Sequence, residues 1–314
     1  MTGTAPNVAV VTAPRTALVT GANQGLGLAL AAGLAARMRP QDRVLLTGRD
    51  AGRVAAAATD VSARPVTTAK VEGHVLDVTD AGAVAACAAA LGEIDIVLSN
   101  ATARISPDAA PEHEVDAFVA VANHGTSHVL RSFAPVLRPG GRLVVIASSL
   151  GTLGVLDPRL HPLFEDASLD EVEAAVEGWR SAVHDGTARA RGWPRWLNPP
   201  SKVAQVAAVR AVARDRREAD RRAGILIAAA CPGMVDTAAS RPWFDGAPAQ
   251  SPDEAARAVL DLVLAEEVDP ATYGELVRFG AVLDWHAGTP PRAQEERLGR
   301  AADIPLSRSA SLAT

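Results

Sequence analysis

A glycine-rich turn, TGANQGLG at residues 20–27, stands between a short apolar run and an alanine-rich stretch with helical periodicity. Three glycines in such a turn let the backbone approach a pyrophosphate, while the following helix offers free N–H groups and the positive end of its dipole. A strand that leads through this turn into a helix is the first half of a βαβ unit. The turn therefore predicts an α/β protein with a phosphate-binding loop.

Apolar runs and helical stretches alternate along the rest of the chain. RVLLTGRD and IDIVLSN are predicted to contain strands, and GLGLALAAGLAARM and AGAVAACAAAL to be helices. This alternation is typical of parallel strands with helices on both faces of the sheet. We expect a doubly wound Rossmann fold with a mostly parallel central sheet, as a single domain with a helical insertion before the helix of Lys202.

The predicted domain covers residues 15–287, between an N-terminal tail at residues 1–14 and a C-terminal tail at residues 288–314. Residues 152–198 interrupt the alternation, are rich in Pro, Asp, Glu and Arg, and contain one helix-like piece, LDEVEAAVEGWRSAV. This segment, called the insertion below, is predicted to lie within the domain and not to form a second one.

Composition and charge make several classes of partner improbable. With a net charge of −5, a pI near 5.8 and no basic cluster, the chain is expected to bind neither nucleic acid nor a membrane. No apolar run is long enough to cross a bilayer, and the layout of a signal peptide is missing, which predicts a cytoplasmic protein. Cys87 and Cys231 lie far apart, which favours reduced thiols over a disulfide framework.

Several further motifs follow the glycine-rich turn in order: SNAT, ANHGT, ASSLG, a lone lysine and CPGMVDT. Together with the Gly-x-x-x-Gly-x-Gly spacing of the turn, they make residues 15–285 resemble the short-chain dehydrogenases/reductases. The resemblance implies that Asn123 supports a water beside the active lysine, that Ser148 hydrogen-bonds a substrate carbonyl, and that Lys202 holds the nicotinamide ribose. It also implies cofactor contacts from Gly21, Asn23, Gln24, Gly25, Leu26, Gly27, Asp77, Val78, Asn100, Ala101, Pro232, Gly233, Val235 and Thr237.

Two arginines indicate which dinucleotide is bound. Arg49 stands where an acidic residue would bind the ribose 2′-hydroxyl of NAD, and Arg53 follows one helical turn later. Guanidinium groups suit a 2′-phosphate, so we expect NADPH as the cofactor. The alternative is that both arginines are solvated surface residues, since Asp50 is adjacent.

The acid of the family is missing. Its members carry a tyrosine four residues before the lysine, whereas this chain has Asn198, whose amide cannot donate a proton near neutral pH. The single tyrosine, Tyr273, lies near a predicted last strand, where we expect a structural role. Because Asn198 precedes Pro199, it is predicted to be a loop or cap residue, with Pro199 or Pro200 opening the helix.

Catalysis can survive this loss. A general acid contributes about 10²- to 10⁴-fold, whereas positioning of the reactants contributes about 7 to 11 kcal/mol. A phenol beside the substrate ketone is one candidate proton source, because it can hydrogen-bond the developing alkoxide. The other candidates are Ser99, His124, Ser148, Ser149 and water.

The insertion and a later loop suggest the substrate. The chain is similar to the monomeric carbonyl reductases, whose insertion also closes with Gly-Trp-Pro, and this similarity implies a monomer. Trp196 at the end of the insertion, and Trp243 and Phe244 in a substrate lid at residues 236–252, are predicted to form aromatic walls, with Ser149 also facing substrate. The alternative is that the tryptophans pack the insertion onto the body.

These features favour NADPH-dependent reduction of a ketone on a polycyclic aromatic substrate. A carbonyl-reductase-like chain without the tyrosine also resembles the angucyclinone ketoreductases, and this resemblance implies an angucyclinone-like polyketide in antibiotic biosynthesis. Two alternatives are a redox sensor that binds NADP(H), and a non-redox cyclase or dehydratase on the same fold. His124 and His128 are spaced like metal ligands on a helix, but they lack a nearby third ligand, so no metal is expected.

Overall fold

The computed structural model describes residues 13–243 and 248–288. Within them eight strands form one sheet: β1 (Thr16–Val19), β2 (Arg43–Gly48), β3 (Lys70–Val75), β4 (Ile94–Ser99), β5 (Leu137–Ile146), β6 (Leu226–Cys231), β7 (Leu276–Arg278) and β8 (Ala281–Leu283). The helices are α1 (Gly25–Arg37), α2 (Ala51–Ser62), α3 (Ala81–Leu91), α4 (Pro111–Val119), α5 (Gly125–Phe133), α6 (Leu169–His184), α7 (Asn198–Ala223) and α8 (Pro252–Leu264).

The strand order is β3-β2-β1-β4-β5-β6-β7-β8, and all neighbours pair in parallel except β7 with β8. The chain moves outwards from β1 to β3 and then restarts on the other side of β1 with β4. This reversal leaves a crevice at the carboxyl ends of β1 and β4, where open α/β sheets bind their ligands. The predicted doubly wound Rossmann fold is confirmed.

Two apolar layers cover the sheet. Residues of β1 alternate between them, because successive strand side chains point to opposite faces: Leu18 joins the layer of α3, α5 and α7, while Val19 joins that of α1, α2 and α8. The insertion adds α6 to the first layer, where the indole of Trp179 is 1% exposed. A capping box of Ser168 and Glu171 starts α6, and the helix packs on α4 and α7.

Two helix boundaries matter for the site. The helical segment that starts at Pro111 is interrupted by a π-helical turn at Ala120–His124, called the π turn below, which lies between α4 and α5. The prediction that Asn198 precedes the helix is wrong: Leu197 is the N-cap, and Asn198 is the first residue of α7. Pro199 and Pro200 fit the first turn because its N–H groups need no helical partner.

The chain after β8 returns to the segment that follows β5. The Leu153 N–H donates to the Trp285 carbonyl at 2.7 Å, and the Trp285 ring packs under the Arg210 guanidinium of α7 at 5.0 Å. Residues 284–288, called the C-terminal strap below, therefore brace the loop after β5. Of the helices in the described residues, none combines the length and apolar character that a bilayer crossing needs.

Candidate active site

The glycine-rich turn is compact at the crevice. Gly21 and Gly25 have φ values of +61° and +54°, which favour glycine, and a Cβ on Gly27 would lie 2.4 Å from the Gly21 carbonyl oxygen. The N-cap of α1, Gln24, makes no side-chain capping bond, so the first N–H groups of α1 have no side-chain cap. Uncapped N–H groups beside close-packed glycines fit a pyrophosphate.

The loop after β4 supports this turn. The backbone N–H groups of Asn100 and Ala101 donate to the Thr20 hydroxyl at 2.9 and 3.0 Å, and the Asn100 amide donates to the carbonyls of Thr20 and Gly21. The amide of Asn100 is therefore engaged with the protein backbone. Asn100, which the sequence predicts at the cofactor site, braces the phosphate-binding loop in this structure.

The charges after β2 are arranged around the same loop. Arg53 donates through Nη2 to the Gln24 side-chain oxygen at 2.5 Å, while Asp50 accepts from the Arg53 N–H at 2.8 Å and so caps α2. Arg49 and Asp50 are exposed. The Asp50 carboxylate is engaged as a helix cap and pairs with neither guanidinium group in the described residues, and guanidinium groups fit a 2′-phosphate.

The residues after β3 form the next wall. Asp77 follows β3 and accepts from the N–H and hydroxyl of Thr79, which fixes the turn. Val78 is buried against Gly125, and its carbonyl contacts His128 Nδ1 at 2.9 Å. His128 of α5 is thus engaged with the backbone that follows β3.

Lys202 lies in the first turns of α7, beneath the end of β5. Its ammonium donates to the Gln205 side-chain oxygen at 2.7 Å and, at a long 3.4 Å, to the Ile146 carbonyl. Burial lowers the pKa of Lys202 to about 8, and the nearby Cys231 thiol opposes that shift. At pH 7 the side chain is therefore mostly protonated, and among the described residues it has one close acceptor, the Gln205 oxygen.

The predicted asparagine lies next to this lysine. Asn123, on the π turn, accepts from the Ser201 hydroxyl at 2.8 Å and donates to the Ser201 carbonyl at 3.0 Å. Both ends of its amide are engaged by the residue that precedes Lys202. Asn123 thereby joins the π turn to the start of α7, and π turns of this kind are frequent at functional sites.

Two serines follow β5. The Ser148 hydroxyl is half-buried and accepts from the Leu150 N–H at 3.2 Å, while Ser149 is exposed at the first position of a short 3₁₀ turn. Gly151 packs directly on the Lys202 backbone. Asn198 lies one helical turn before Lys202, and within the described residues its amide has no hydrogen-bond partner.

The lid is anchored at its base. Val235 and Gln250 form a parallel bridge, and the Gln250 amide donates to the Pro232 carbonyl at 3.3 Å. Gly233 has a φ of +82° and packs against Phe279, and the Thr237 methyl faces Gly25 of the glycine-rich turn. The predicted segment from Pro232 to Thr237 therefore lies across the crevice from the phosphate-binding loop.

Two of the predicted aromatic residues meet. The Trp196 and Trp243 rings are 5.6 Å apart and tilted by 30°, and the Trp243 indole N–H donates to the Ile105 carbonyl at 3.1 Å. Phe244 lies outside the described residues. Trp179 and Trp193, by contrast, are buried with Phe164 and pack the insertion, as the structural alternative predicted.

The other titratable candidates have structural partners. His124 Nε2 lies 2.8 Å from Glu177 of α6, and the Tyr273 hydroxyl donates to the buried Asp220 carboxylate at 2.8 Å. In residues 13–243 and 248–288, no cluster of three metal-ligating side chains occurs.

Sequence reasoning missed three buried polar residues around Lys202: Ser201 precedes it, Gln205 contacts it, and Thr126 contacts Gln205. Gln205 was the detectable one, because it interrupts the otherwise apolar run VAQVAAV. Burying a polar side chain inside such a run costs free energy unless the side chain is hydrogen-bonded, so its presence indicates a buried polar contact.

The chain is similar to several known proteins. The profile of a family described as short chain dehydrogenase matches residues 15–157. Carbonyl reductase [NADPH] 1 of Sus scrofa is 30% identical over 295 residues, which cover 89% of this chain and 96% of that protein. Salutaridine reductase of Papaver somniferum has a similar structure, with a TM-score of 0.70 and 20% identity over 83% of this chain and 99% of that one. The NADPH-bound carbonyl reductase from chicken fatty liver gives a TM-score of 0.60 at 20% identity, over 87% and 100% of the two chains.

Proposed function

The chain belongs to the short-chain dehydrogenase/reductase family of oxidoreductases, and from that premise we propose that it is an NADPH-dependent ketoreductase acting on a polycyclic aromatic ketone. The carbonyl reductases to which it is similar are named for NADPH. The proposal extends that cofactor to this chain and adds a substrate class, an angucyclinone-like polyketide of antibiotic biosynthesis.

The cofactor assignment is supported by the charges around the glycine-rich turn. Arg53 reaches the loop through Gln24, and Asp50 is engaged as the cap of α2. We propose that the pyrophosphate lies on the first turn of α1, the 2′-phosphate between Arg49 and Arg53, and the nicotinamide ribose at Lys202. Bound there, NADPH supplies the hydride.

The work of the protein is then to place the carbonyl and to exclude water. Ser148 or Ser149 would donate a hydrogen bond to the carbonyl oxygen, and Lys202 would hold the ribose beneath it. Asn198 can hydrogen-bond an oxygen but cannot protonate it. We propose that a phenol of the substrate, adjacent to the ketone, supplies the proton to the developing alkoxide, which removes the need for a protein acid.

The observation that carries the substrate class is the contact between Trp196 and Trp243. It joins the end of the insertion to the lid, and Trp196 lies two residues before Asn198, close to where the carbonyl would lie. Paired indoles offer flat apolar surface with aromatic stacking worth about 0.5–1.5 kcal/mol beyond simple burial. A planar ring system that enters between lid and insertion would stack on this pair.

The test is to mix the protein with NADPH and a panel of angucyclinone-like quinones and ketones, and to follow NADPH absorbance and product mass. We expect reduction of a ketone that has a neighbouring phenol, with the mass increasing by two hydrogens. NADPH binding without turnover on any member would instead favour the redox sensor. A product of altered mass without NADPH consumption would favour the cyclase or dehydratase.

The proton source has its own test. A substrate analogue whose neighbouring phenol is methylated is expected to be reduced about 10²- to 10⁴-fold more slowly, the usual contribution of a general acid. Undiminished turnover would remove substrate assistance and point to a serine or water.

A further inference from the structure

Gln205 is a buried amide in an apolar stretch of α7. Gln205 is only 2% exposed, and its neighbours Ala204 and Val206 belong to the core. Burying an amide costs free energy unless its hydrogen-bonding groups are satisfied. The Gln205 amide is therefore expected to have hydrogen-bond partners inside the protein.

The partners determine the orientation of the amide. The ammonium of Lys202 has only donors, so the Gln205 oxygen must face it, at 2.7 Å. The amide nitrogen then donates to the Ala122 carbonyl at 2.8 Å and to the Thr126 hydroxyl at 3.0 Å. A flipped amide would place N–H groups against the ammonium and the oxygen against the Ala122 carbonyl, so only one orientation satisfies every group.

The π turn provides the fixed end of this chain of bonds. The Ala122 carbonyl lies within the π turn and accepts from both Gln205 and the Thr126 hydroxyl, the latter at 2.7 Å. Thr126 is itself 2% exposed. The amide of Gln205 is thus held on two sides by a rigid helical segment, and its oxygen is presented to Lys202 from a set direction.

We propose that Gln205 is a positioning residue, which holds the Lys202 ammonium in the place and charge state required to bind the nicotinamide ribose. Among the described residues Lys202 forms no ion pair, and its second acceptor, the Ile146 carbonyl, is 3.4 Å away. The titratable group that faces it is the Cys231 thiol at the end of β6. Gln205 is therefore the close partner that favours the charged form. The role in ribose binding rests on the proposed function, but the contact with Lys202 does not.

The composition of the chain allows a direct measurement. It contains two lysines, Lys70 and Lys202, and Lys70 is exposed on the edge strand β3. In a Lys70→Arg background, protein labelled with ¹³C at the lysine ε-carbon gives one lysine signal by NMR. Its titration reports the pKa of Lys202 in protein without cofactor.

Replacement of Gln205 by methionine removes the acceptor and keeps a similar volume. We expect the pKa of Lys202 to fall by about one pH unit or more, because a hydrogen bond to a charged group is lost. Gln205→Glu should move the pKa in the opposite direction by a similar amount, since a carboxylate favours the adjacent cation. Thr126→Val is the matched control: it disturbs the same buried network and should lower thermal stability, but it leaves the oxygen on Lys202.

A merely structural role would lower the stability of Gln205→Met and Thr126→Val alike and leave the Lys202 titration unchanged in both. That result would overturn the proposal. If Gln205→Met does not fold, Gln205→Glu decides, because an unshifted titration in that variant contradicts the contact.

NADPH affinity provides the second readout. Gln205→Met is expected to bind NADPH about fivefold more weakly at pH 8 and to recover affinity at lower pH, where Lys202 regains its proton. Gln205→Glu should retain affinity to higher pH than the wild type. If the wild-type protein does not bind NADPH at all, the proposed function fails, while the NMR titration still tests the contact between Gln205 and Lys202.

Discussion

Several side chains around the crevice are held by hydrogen bonds to neighbouring residues. Asp50 caps α2, which leaves Arg49 and Arg53 as the cations at the end of β2, and Gln24 links Arg53 to the phosphate-binding loop. Burial lowers the pKa of Lys202 to about 8, and the Gln205 oxygen is the close acceptor of its ammonium. Each of these assignments predicts a change in cofactor affinity.

Arg53→Gln is expected to weaken NADPH binding about tenfold or more and to leave NADH binding nearly unchanged, because in the proposed binding mode the lost charge would face the 2′-phosphate. Fluorescence titration with both dinucleotides measures the two affinities. Arg64→Gln is the control: Arg64 follows α2 and pairs with Asp60 at 2.8 Å, so neither affinity should change. Equal losses for NADPH and NADH in Arg53→Gln would contradict the assignment.

The affinity for NADPH is expected to depend on pH through Lys202. The lysine is charged below its pKa of about 8 and neutral above it, so binding should be constant near pH 7 and weaken as the pH rises through about 8. Binding isotherms between pH 6 and 9.5 measure this. Lys202→Met should bind more weakly at pH 7 and lose the dependence, and a wild-type affinity that strengthens above pH 8 would contradict the charge assignment.

At the scale of elements, the insertion packs on the π turn and reaches the lid through the contact between Trp196 and Trp243. α6 is joined to α4 and the π turn by polar contacts, from Glu177 to His124 and from Arg180 to Asp116, and by the buried ring of Trp179. The two ends of the lid are joined by the backbone bridge between Val235 and Gln250. The insertion is thus part of the core and supports one wall of the site.

Trp179→Ala is expected to lower the free energy of unfolding by about 3–5 kcal/mol, because it leaves a large cavity between α6 and the body. Urea denaturation followed by circular dichroism measures the change. The control is Val66→Ala, whose side chain belongs to a residue 65% exposed and whose loss should cost less than about 0.5 kcal/mol. A loss below about 1 kcal/mol for Trp179→Ala would mean that α6 is not packed on the core.

At the scale of the whole molecule, the doubly wound topology was predictable because apolar strands and amphipathic helices alternate locally in the sequence. The motifs at Gly21, Asn123 and Lys202 lie around one crevice, since strand ends bring them together. The π turn was not predictable, because its residues have ordinary helical periodicity and the extra residue per turn depends on tertiary bonds to Ser201 and Gln205. The start of α7 was misplaced by the rule for residues before proline, which is a tendency that local packing can override.

We propose that the molecule is a monomer, with α6 packed on the faces of α4 and α7. Light scattering coupled to size-exclusion chromatography is expected to give a mass close to 32.4 kDa at all concentrations up to about 100 μM, at which a dimer with a Kd of about 1 μM would be largely formed. A mass near twice that value, independent of dilution, would contradict the monomer. The same measurement with NADPH present would show whether the cofactor alters the assembly.

The bond from Leu153 to Trp285 has a consequence for biosynthesis of the protein. The loop that carries Ser148 is braced by the C-terminal strap, which the ribosome synthesises more than a hundred residues later. The part of the domain before β5 can fold as it emerges, but the loop that carries Ser148 can be braced only after Trp285 has been synthesised. A chain that stops before residue 285 would therefore lack the hydrogen bond to Leu153, and the loop after β5 would lose this brace.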